Sequence, residues 1–328
     1  MMNRGFDMVR EVLPNIYINE IPLPNNPLKS INSYVFLSEK RNLIIDTCFN
    51  IEDSKKVFYN GVKELGVDLN NTDLLLTHMH PDHMGLAHEL STLGCKVLLG
   101  KKDGEILDLA RNASRKTYVE MHRALGLGLD TLTTSNQDFV MNTLEFLDYQ
   151  LLVEGDEIVI GDYALTLVDT PGHSPGHICL YDKEKKLFIS GDHILGDITP
   201  NISFWGYEID SLGAYLDSLK KVHELDIELV LPAHRNLIHD CRQRIEELIA
   251  HHQERTEEIL VIVGDGRKTA SQAAAEMHWD IKFGPWDELP GVQKWFSAGE
   301  ALSHLEHLAW EGKLNRINDK DGVYYELV

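Results

Sequence analysis

The chain has 328 residues, enough for one large domain and a smaller one, and 43% of them are hydrophobic, which supports a buried core. No apolar run reaches the roughly 20 residues that a membrane-spanning helix needs, so we expect no membrane association. The formal net charge of −21 gives a surface that repels phosphate groups, which argues against tight, non-specific binding of nucleic acid.

The start of the sequence and the cysteines predict a cytoplasmic protein. The first 20 residues carry acidic side chains and no continuous apolar segment, so we expect no secretory signal. The four cysteines, Cys48, Cys95, Cys179 and Cys241, are far apart and form no CxxC pair. We therefore expect reduced and mostly buried thiols.

Short apolar runs predict strands throughout the first 240 residues, with helices between them. Strands are predicted at 12–20, 31–38, 42–47, 73–78, 95–100, 157–160, 163–170, 177–182, 186–192 and 227–232. Helices are predicted at 51–66, 84–92, 208–224 and 237–262. Strands interspersed with helices are typical of an α/β domain in which helices cover mixed sheets.

Residues 102–147 are predicted to form a helical insert within this domain, with apolar residues spaced irregularly by three to four positions. The insert is longer than an ordinary connection between two elements. A lid over a cleft would explain it, and so would a contact between two copies of the chain. A homodimer is therefore left open.

The last part of the chain changes character. Helices are predicted at 269–278 and 298–312, followed by a β-hairpin whose turn is the "DKDG" of residues 319–322. This is the order of elements in a winged helix, a fold that often binds DNA. Residues 261–328, however, carry seven basic and eleven acidic side chains, a net charge of −4. Because a helix that enters the major groove should be basic, we predict no DNA binding.

The stretch "LLLTHMHPDHMG" at 74–85 places three histidines and an aspartate where an apolar run ends. Three later loops each present one further ligand-type residue just after a predicted strand. Together these candidates are His78, His80, Asp82, His83, His173, Asp192 and His234. Imidazole nitrogens with few carboxylates suit zinc, and also iron or manganese. The sequence therefore predicts a metal site.

An HxHxDH motif followed by separate His, Asp and His loops resembles the metallo-β-lactamase superfamily over roughly residues 10–240, including the early "IIDT" of 44–47. The resemblance implies an αβ/βα sandwich in residues 1–240 and a small, winged-helix-like domain in 241–328. The tail is similar to that of glyoxalase II-like and β-lactamase-like protein 2-like hydrolases. Cys48 stands where the family usually has a glycine, a small departure.

The resemblance also implies a ligand set for two divalent metal ions, with zinc preferred over iron or manganese. One metal would be held by His78, His80 and His173, the other by Asp82, His83 and His234, and Asp192 would bridge them. Neither a cysteine at the bridging position nor a glutamate in place of His80 is present, which favours a hydrolase over the oxygen-reducing diiron branch. Asp46 is expected to accept a hydrogen bond from a ligand histidine.

The expected reaction is attack of a metal-bound hydroxide on a small acyl substrate, a thioester first and a lactone or ester second. Asp82 and Asp192 are the acids of the ligand set, and either could take or relay the proton. A metal-dependent phosphodiesterase or ribonuclease is the alternative enzyme, and a non-catalytic, ligand-binding regulatory protein is the alternative outside enzymes.

Four further residues are candidates for contact with the substrate. Phe204, Trp205 and Tyr207 lie in a loop without periodicity and would form an apolar wall, although packing beneath the loop explains them equally well. His193 follows Asp192 directly and either lines the cleft or has a structural role.

Overall fold

The computed structural model describes residues 9–110, 120, 123–127, 147–279 and 285–328. Two β-sheets face each other, and helices cover the outer face of each sheet. The strands are β1 (Val9–Leu13), β2 (Ile16–Pro22), β3 (Ser30–Phe36), β4 (Asn42–Ile45), β5 (Thr72–Leu76), β6 (Lys96–Gly100), β7 (Gln150–Leu152), β8 (Glu157–Ile160), β9 (Tyr163–Asp169), β10 (Ile178–Asp182), β11 (Leu187–Gly191), β12 (Leu229–Pro232), β13 (Leu314–Asp319) and β14 (Gly322–Leu327). The helices are α1 (Glu52–Glu64), α2 (Pro81–Met84), α3 (Ala87–Thr92), α4 (Lys101–Ala110), α5 (Ser211–His223), α6 (Cys241–Gly264), α7 (Ala270–Glu276) and α8 (Gly291–Trp310). The predicted α/β sandwich is confirmed.

The first sheet has seven strands in the order β1 to β7, and the second has five in the order β12-β11-β10-β9-β8. In the first sheet β1 to β4 pair antiparallel, and β4 to β7 pair parallel. In the second sheet only the β11–β12 pair is parallel. Parallel neighbours end at the same edge of a sheet, so β4, β5 and β6 share one edge, and so do β11 and β12.

The period of two along each strand divides its side chains between two cores. In β5, Leu75 points into the core between the sheets, whereas Leu74 and Leu76 point into the core beneath α1 and α3. In β10, Leu180 joins the inter-sheet core and Cys179 the core beneath α5 and α6. Burying one such aliphatic side chain contributes roughly 1.5–3 kcal/mol, so a shift of register by one residue would expose a whole row of them.

Two of the predicted elements are wrong as single elements. The strand predicted at 12–20 is a hairpin of β1 and β2, because Asn15 adopts φ 61° and turns the chain after Pro14. The helix predicted at 84–92 is broken between α2 and α3 at Gly85 and Leu86. A Cβ at Gly85 would lie 2.4 Å from the carbonyl oxygen of Cys48, so this glycine allows the chain to pass close to the loop after β4.

Residues 241–328, called the C-terminal segment from here on, contain α6, α7, α8 and the β13–β14 hairpin. The hairpin turn lies where it was predicted, with Asp319 paired to Gly322. Helix α8 begins at Gly291, directly after Pro290, and so is seven residues longer than predicted at its start. Pro290 is the N-cap residue, where the missing N–H removes no hydrogen bond from the helix. The winged-helix comparison and the domain boundary at 240/241 remain interpretations.

The four cysteines are buried and free, as expected. Most of the predicted insert at 102–147 lies outside the described residues. Of its described part, residues 102–110 belong to α4, and Ala124 and Leu125 pack into the apolar core of the C-terminal segment. Within the described ranges, the structure contains no helix with the length and apolar character needed to cross a membrane.

Candidate metal centre

The seven predicted ligands follow strands or turns that meet at one edge of the sandwich. His78 and His80 follow β5, His173 lies in the turn between β9 and β10, and Asp192 and His234 follow β11 and β12. Backbone hydrogen bonds join the two sheets here, since Ile178 N donates to Thr77 O at 2.9 Å and Asn32 N donates to Ala233 O at 2.7 Å. The edge is therefore a rigid platform supplied by both sheets.

The donor atoms form three overlapping groups, and within each group they lie within 4.8 Å of one another. The groups are His78 with His80 and His173, His78 with His83 and Asp192, and Asp82 with His83 and His234. Pro81 starts α2 immediately after His80, and this short helix turns Asp82 and His83 toward the same space. All seven residues named from the sequence are thus brought together.

The carboxylate of Asp192 lies between the other donors. Its Oδ2 is 3.5 Å from His173 Nε2, and its Oδ1 is 3.4 Å from His234 Nε2 and 3.6 Å from His83 Nε2. These distances exceed those of good hydrogen bonds but match the separation of about 3.4 Å between two ligands on one tetrahedral zinc ion. One oxygen of Asp192 therefore faces each side of the cluster.

The hydrogen bonds of the imidazoles leave their Nε2 atoms available as ligands. His173 Nδ1 donates to Asn201 O and His234 Nδ1 donates to Ser30 O, each at 2.7 Å, because a carbonyl oxygen can only accept. The Nε2 atoms of His78, His83, His173 and His234 and the Oδ1 of Asp192 are buried and have no hydrogen-bond partner in the described part of the chain. Buried polar atoms are rarely left in this way unless something else binds them. The residues present fit a metal site.

Asp46 holds the base of the cluster. Its Oδ1 accepts from Thr77 N at 2.8 Å, and its Oδ2 accepts from Thr77 Oγ1 at 2.7 Å and lies 2.8 Å from His83 Nδ1. This carboxylate fixes a proton of His83 on Nδ1 and leaves Nε2 available to bind a metal ion. Asp46 adopts φ 61°, so the turn after β4 places its left-handed residue here and needs no glycine at Cys48.

Burial and neighbouring charges lower the pKa of some of the imidazoles and raise the pKa of others. Burial, assisted by nearby histidines, lowers the pKa of His78 well below its usual value and that of His80 to about 3. Burial also opposes protonation of His83 and His234, but the surrounding aspartates outweigh it, raising the pKa of His83 well above its usual value and that of His234 to about 10. The carboxylates thus create a negative field at the centre that a divalent cation would neutralise.

Two supporting residues were missed from the sequence. His177, in the same loop as His173, accepts a hydrogen bond on Nε2 from the backbone N–H of Asp192 at 3.1 Å. Asp103, in the first turn of α4, accepts from Met79 N at 2.9 Å, from Ser174 Oγ at 2.8 Å and from Gly176 N at 2.6 Å. It therefore ties the His78–His80 turn to the His173 loop. The repeated "PGH" was a signal for His177, whereas Asp103 had none.

The candidate substrate residues occupy different surroundings. Trp205 stacks against His80, with ring centroids 5.9 Å apart, and its Nε1 donates to His173 O at 3.1 Å. Phe204 and Tyr207 pack instead against the apolar core of the C-terminal segment. His193 is fully buried, and its ring contacts Tyr215. Trp205 is thus the member of this group that lies beside the candidate metal ligands.

Comparison with known proteins gave matches to both parts of the chain. The sequence model of the Metallo-beta-lactamase superfamily matches residues 26–234, and that of the Metallo-beta-lactamase-like, C-terminal domain matches residues 270–325.

The Beta-lactamase-like protein 2 homolog of Drosophila melanogaster is 27% identical over 299 residues, covering 91% of this chain and 88% of that protein. The Acyl-coenzyme A thioesterase MBLAC2 of Homo sapiens is 27% identical over 214 residues, covering 62% of this chain and 73% of that protein. The crystal structure of a metallo-beta-lactamase family protein from Thermus thermophilus superposes with a TM-score of 0.78 at 27% identity, covering 97% of this chain and 100% of that one.

A sandwich of two helix-covered sheets, with buried histidines and aspartates at one edge, is the framework of a metal-dependent hydrolase. The chain belongs to the metallo-β-lactamase superfamily, and the family predicted from the HxHxDH motif is confirmed.

Proposed function

We propose that the protein is a dinuclear-metal hydrolase of acyl thioesters, with lactones and other esters as second-rank substrates. The carbon–sulfur bond of the thioester would be broken by water, giving a carboxylic acid and a thiol. The observation that carries the proposal is the position of Asp192, whose Oδ2 faces His173 and whose Oδ1 faces His234, on opposite sides of the cluster. Zinc is the preferred metal because the set is rich in imidazole, with iron or manganese as substitutes.

The proposed ligands divide into two sets, one for each metal ion. His78, His80 and His173 would hold one ion and Asp82, His83 and His234 the other, with Asp192 between them. Two ions held in this way would supply a nucleophilic hydroxide at neutral pH and would polarise the carbonyl oxygen of the substrate. Asp82 and Asp192 are the acids of the set that could accept or relay the proton.

Burial raises the pKa of both carboxyl groups, but their histidine neighbours outweigh it, lowering the pKa of Asp82 to about 2 and that of Asp192 well below its usual range. Both carboxylates are therefore ionised at neutral pH.

The thioester preference is supported by the surroundings of the site and by one relative. Trp205 presents an aromatic ring beside His80, where an apolar acyl chain would find a partner. The human relative named an acyl-coenzyme A thioesterase shares 27% of its residues with this chain over the matched region.

The test is a panel of substrates offered to the metal-loaded protein: short- and medium-chain acyl thioesters, homoserine lactones, a β-lactam and a bis-aryl phosphodiester. We expect the thioesters to give the highest kcat/KM. If the phosphodiester proves the best substrate, the acyl proposal is wrong and the phosphodiesterase alternative replaces it.

Trp205→Ala is expected to raise KM for medium-chain thioesters more than for short ones, because in the proposed binding mode the longer chain would contact the indole ring. A lost aromatic contact of this kind corresponds to a change of about 10-fold or less in kcat/KM. Trp310→Ala is the matched control, since Trp310 lies at the exposed end of α8. Equal effects of Trp205→Ala on both chain lengths would remove Trp205 from the acyl-binding surface.

We also predict that the protein does not bind DNA. Residues 297–306 of α8 are buried, and this helix cannot enter a groove without leaving its core. The charge of −21 opposes contact with phosphates as well. A gel-shift assay with random duplex at physiological salt should show no complex at micromolar protein, and a sub-micromolar, salt-sensitive complex would contradict the prediction.

A further inference from the structure

One loop connects the metal centre to the C-terminal segment. The loop at 200–207, called the aromatic loop from here on, contacts His173 on two sides. Asn201 O accepts the Nδ1 proton of His173 at 2.7 Å, and Trp205 Nε1 donates to His173 O at 3.1 Å. The first contact fixes the tautomer and the ring plane of His173, and the second fixes its backbone. The position of His173 therefore depends on the position of this loop.

The aromatic loop has no regular secondary structure of its own, and the C-terminal segment holds it. Asn201 Nδ2 donates to Glu300 Oε2 of α8 at 2.7 Å, and Ser203 Oγ donates to Asn201 Oδ1 at 2.7 Å. Both ends of the Asn201 amide are thus bonded, which fixes this residue and the carbonyl that His173 uses. Helix α8 also passes close to the loop, since a Cβ at Gly299 would lie 3.8 Å from Ser203 Oγ.

Two further contacts fasten the same region. His307 Nδ1 of α8 lies 2.9 Å from Asp210 Oδ2, just after the loop. The guanidinium of Arg316 lies 4.2 Å from the centroid of the Tyr207 ring, a cation–π contact. The C-terminal segment therefore contacts the aromatic loop near both ends, at Asn201 and at Tyr207.

Glu300 is an unusual residue for its surroundings. It is 9% exposed, in the middle of a helix whose neighbouring residues are mostly small or apolar. Burial raises the pKa of Glu300 to about 7, opposed by the charge of Arg255 and by the hydrogen bond from Asn201. A buried carboxyl group carries a desolvation cost that an apolar residue would avoid. The carboxyl group of Glu300 is nevertheless placed where it accepts the hydrogen bond from Asn201, the residue whose backbone carbonyl contacts His173.

We propose that Glu300 is a positioning residue for the metal centre: through Asn201 it orients His173, so that the C-terminal segment completes the first group of metal ligands. This inference rests on the metal-binding role proposed for His173. It makes the C-terminal segment part of the site, although the proposed ligands all lie in residues 78–234.

The test compares three full-length variants, Glu300→Ala, Glu300→Gln and Glu306→Gln, by metal affinity and by stability. Glu306 is the matched control, because it lies buried on the same helix but bonds to Tyr325 and Arg316 of the hairpin. Zinc affinity is measured by competition with a chromophoric chelator, without substrate, and the melting temperature is measured with and without zinc.

We expect Glu300→Ala to weaken the binding of one zinc ion, the ion that His78, His80 and His173 would hold, about 10- to 100-fold, the effect typical of an outer hydrogen-bond partner. The melting temperature without zinc should fall no more than in the control, and kcat for a thioester should fall while KM changes little. Glu300→Gln should restore zinc affinity, because its amide oxygen can accept from Asn201 Nδ2. If Glu300→Ala does not fold, Asn201→Ala replaces it, since this variant keeps the backbone carbonyl but loses the link to α8.

The outcomes separate this inference from the proposed function. Unchanged zinc affinity in both Glu300→Ala and Asn201→Ala, with a wild-type protein that binds zinc, overturns the role of Glu300 alone. If zinc affinity depends on Glu300 but no thioester is hydrolysed, the role of Glu300 is supported and the proposed substrate class is wrong. A wild-type protein that binds no zinc, iron or manganese removes both.

Discussion

Asp192→Ala should reduce the metal content of the purified protein from about two ions per chain to one or fewer, and should lower thioester hydrolysis by about 100-fold or more. The reason is the central position of this carboxylate, with Oδ2 3.5 Å from His173 Nε2 and Oδ1 3.4 Å from His234 Nε2. Elemental emission analysis of the protein and steady-state kinetics after reloading with zinc would measure the two effects.

His80→Ala should likewise lower both the metal content and thioester hydrolysis, because it removes one of the three ligands in the group of His78, His80 and His173. Its matched control is His88→Ala, because His88 is an exposed histidine a few residues further on. Asp162→Ala, an exposed aspartate in the turn between β8 and β9, serves the same purpose for Asp192. Full metal content and activity in both Asp192→Ala and His80→Ala would contradict the ligand assignment.

Asp103→Ala is expected to destabilise the whole sandwich. The change would leave Met79 N, Ser174 Oγ and Gly176 N without their acceptor, and a buried donor left unpaired costs about 1–3 kcal/mol. Burial raises the pKa of Asp103 to about 6, so relief of its desolvation offsets part of this loss. We expect the free energy of unfolding to fall by about 3 kcal/mol.

Urea denaturation of the metal-free protein would measure this fall, and zinc affinity should decrease as well because both ligand turns lose their common anchor. Glu105→Ala is the control, since Glu105 lies on the same helix, is exposed and makes only a 3.7 Å ion pair with Lys102. A denaturation midpoint for Asp103→Ala equal to that of the control would show that the two turns hold their positions without this carboxylate.

The sequence was sufficient for the features that short motifs and periodicity encode. The fold class and the family followed from the HxHxDH motif and the downstream loops, and the strands that lead to the candidate ligands were predicted within a few residues of their observed bounds. These candidates can be recognised because they lie shortly after a predicted strand, in loops or turns that contain Gly or Pro. His78 and His80, two residues apart, are an example.

The sequence was insufficient where the deciding contact joins distant parts of the chain. Asp103 resembles an ordinary acidic residue at the start of a helix, and its three partners lie 24, 71 and 73 residues away. Glu300 bonds to Asn201 across 99 residues, and no local pattern indicates that a buried carboxyl group lies there. Strand β7 has three residues and is defined by its pairing to β6, so it carries no periodic signal.

The position of the donors across both sheets has a consequence for the lifetime of the protein. His78 and His83 extend from the seven-stranded sheet, whereas His173, Asp192 and His234 extend from the five-stranded sheet. Ions held by this set would therefore cross-link the two halves of the inter-sheet core, and neither half could open without releasing them. Metal at about 1,000 times its dissociation constant would stabilise the folded chain by about 4 kcal/mol, which lowers the population open to proteases about 1,000-fold. Turnover of the protein in a cell would then follow the supply of metal, so that starvation for the ion removes the chain itself as well as its activity.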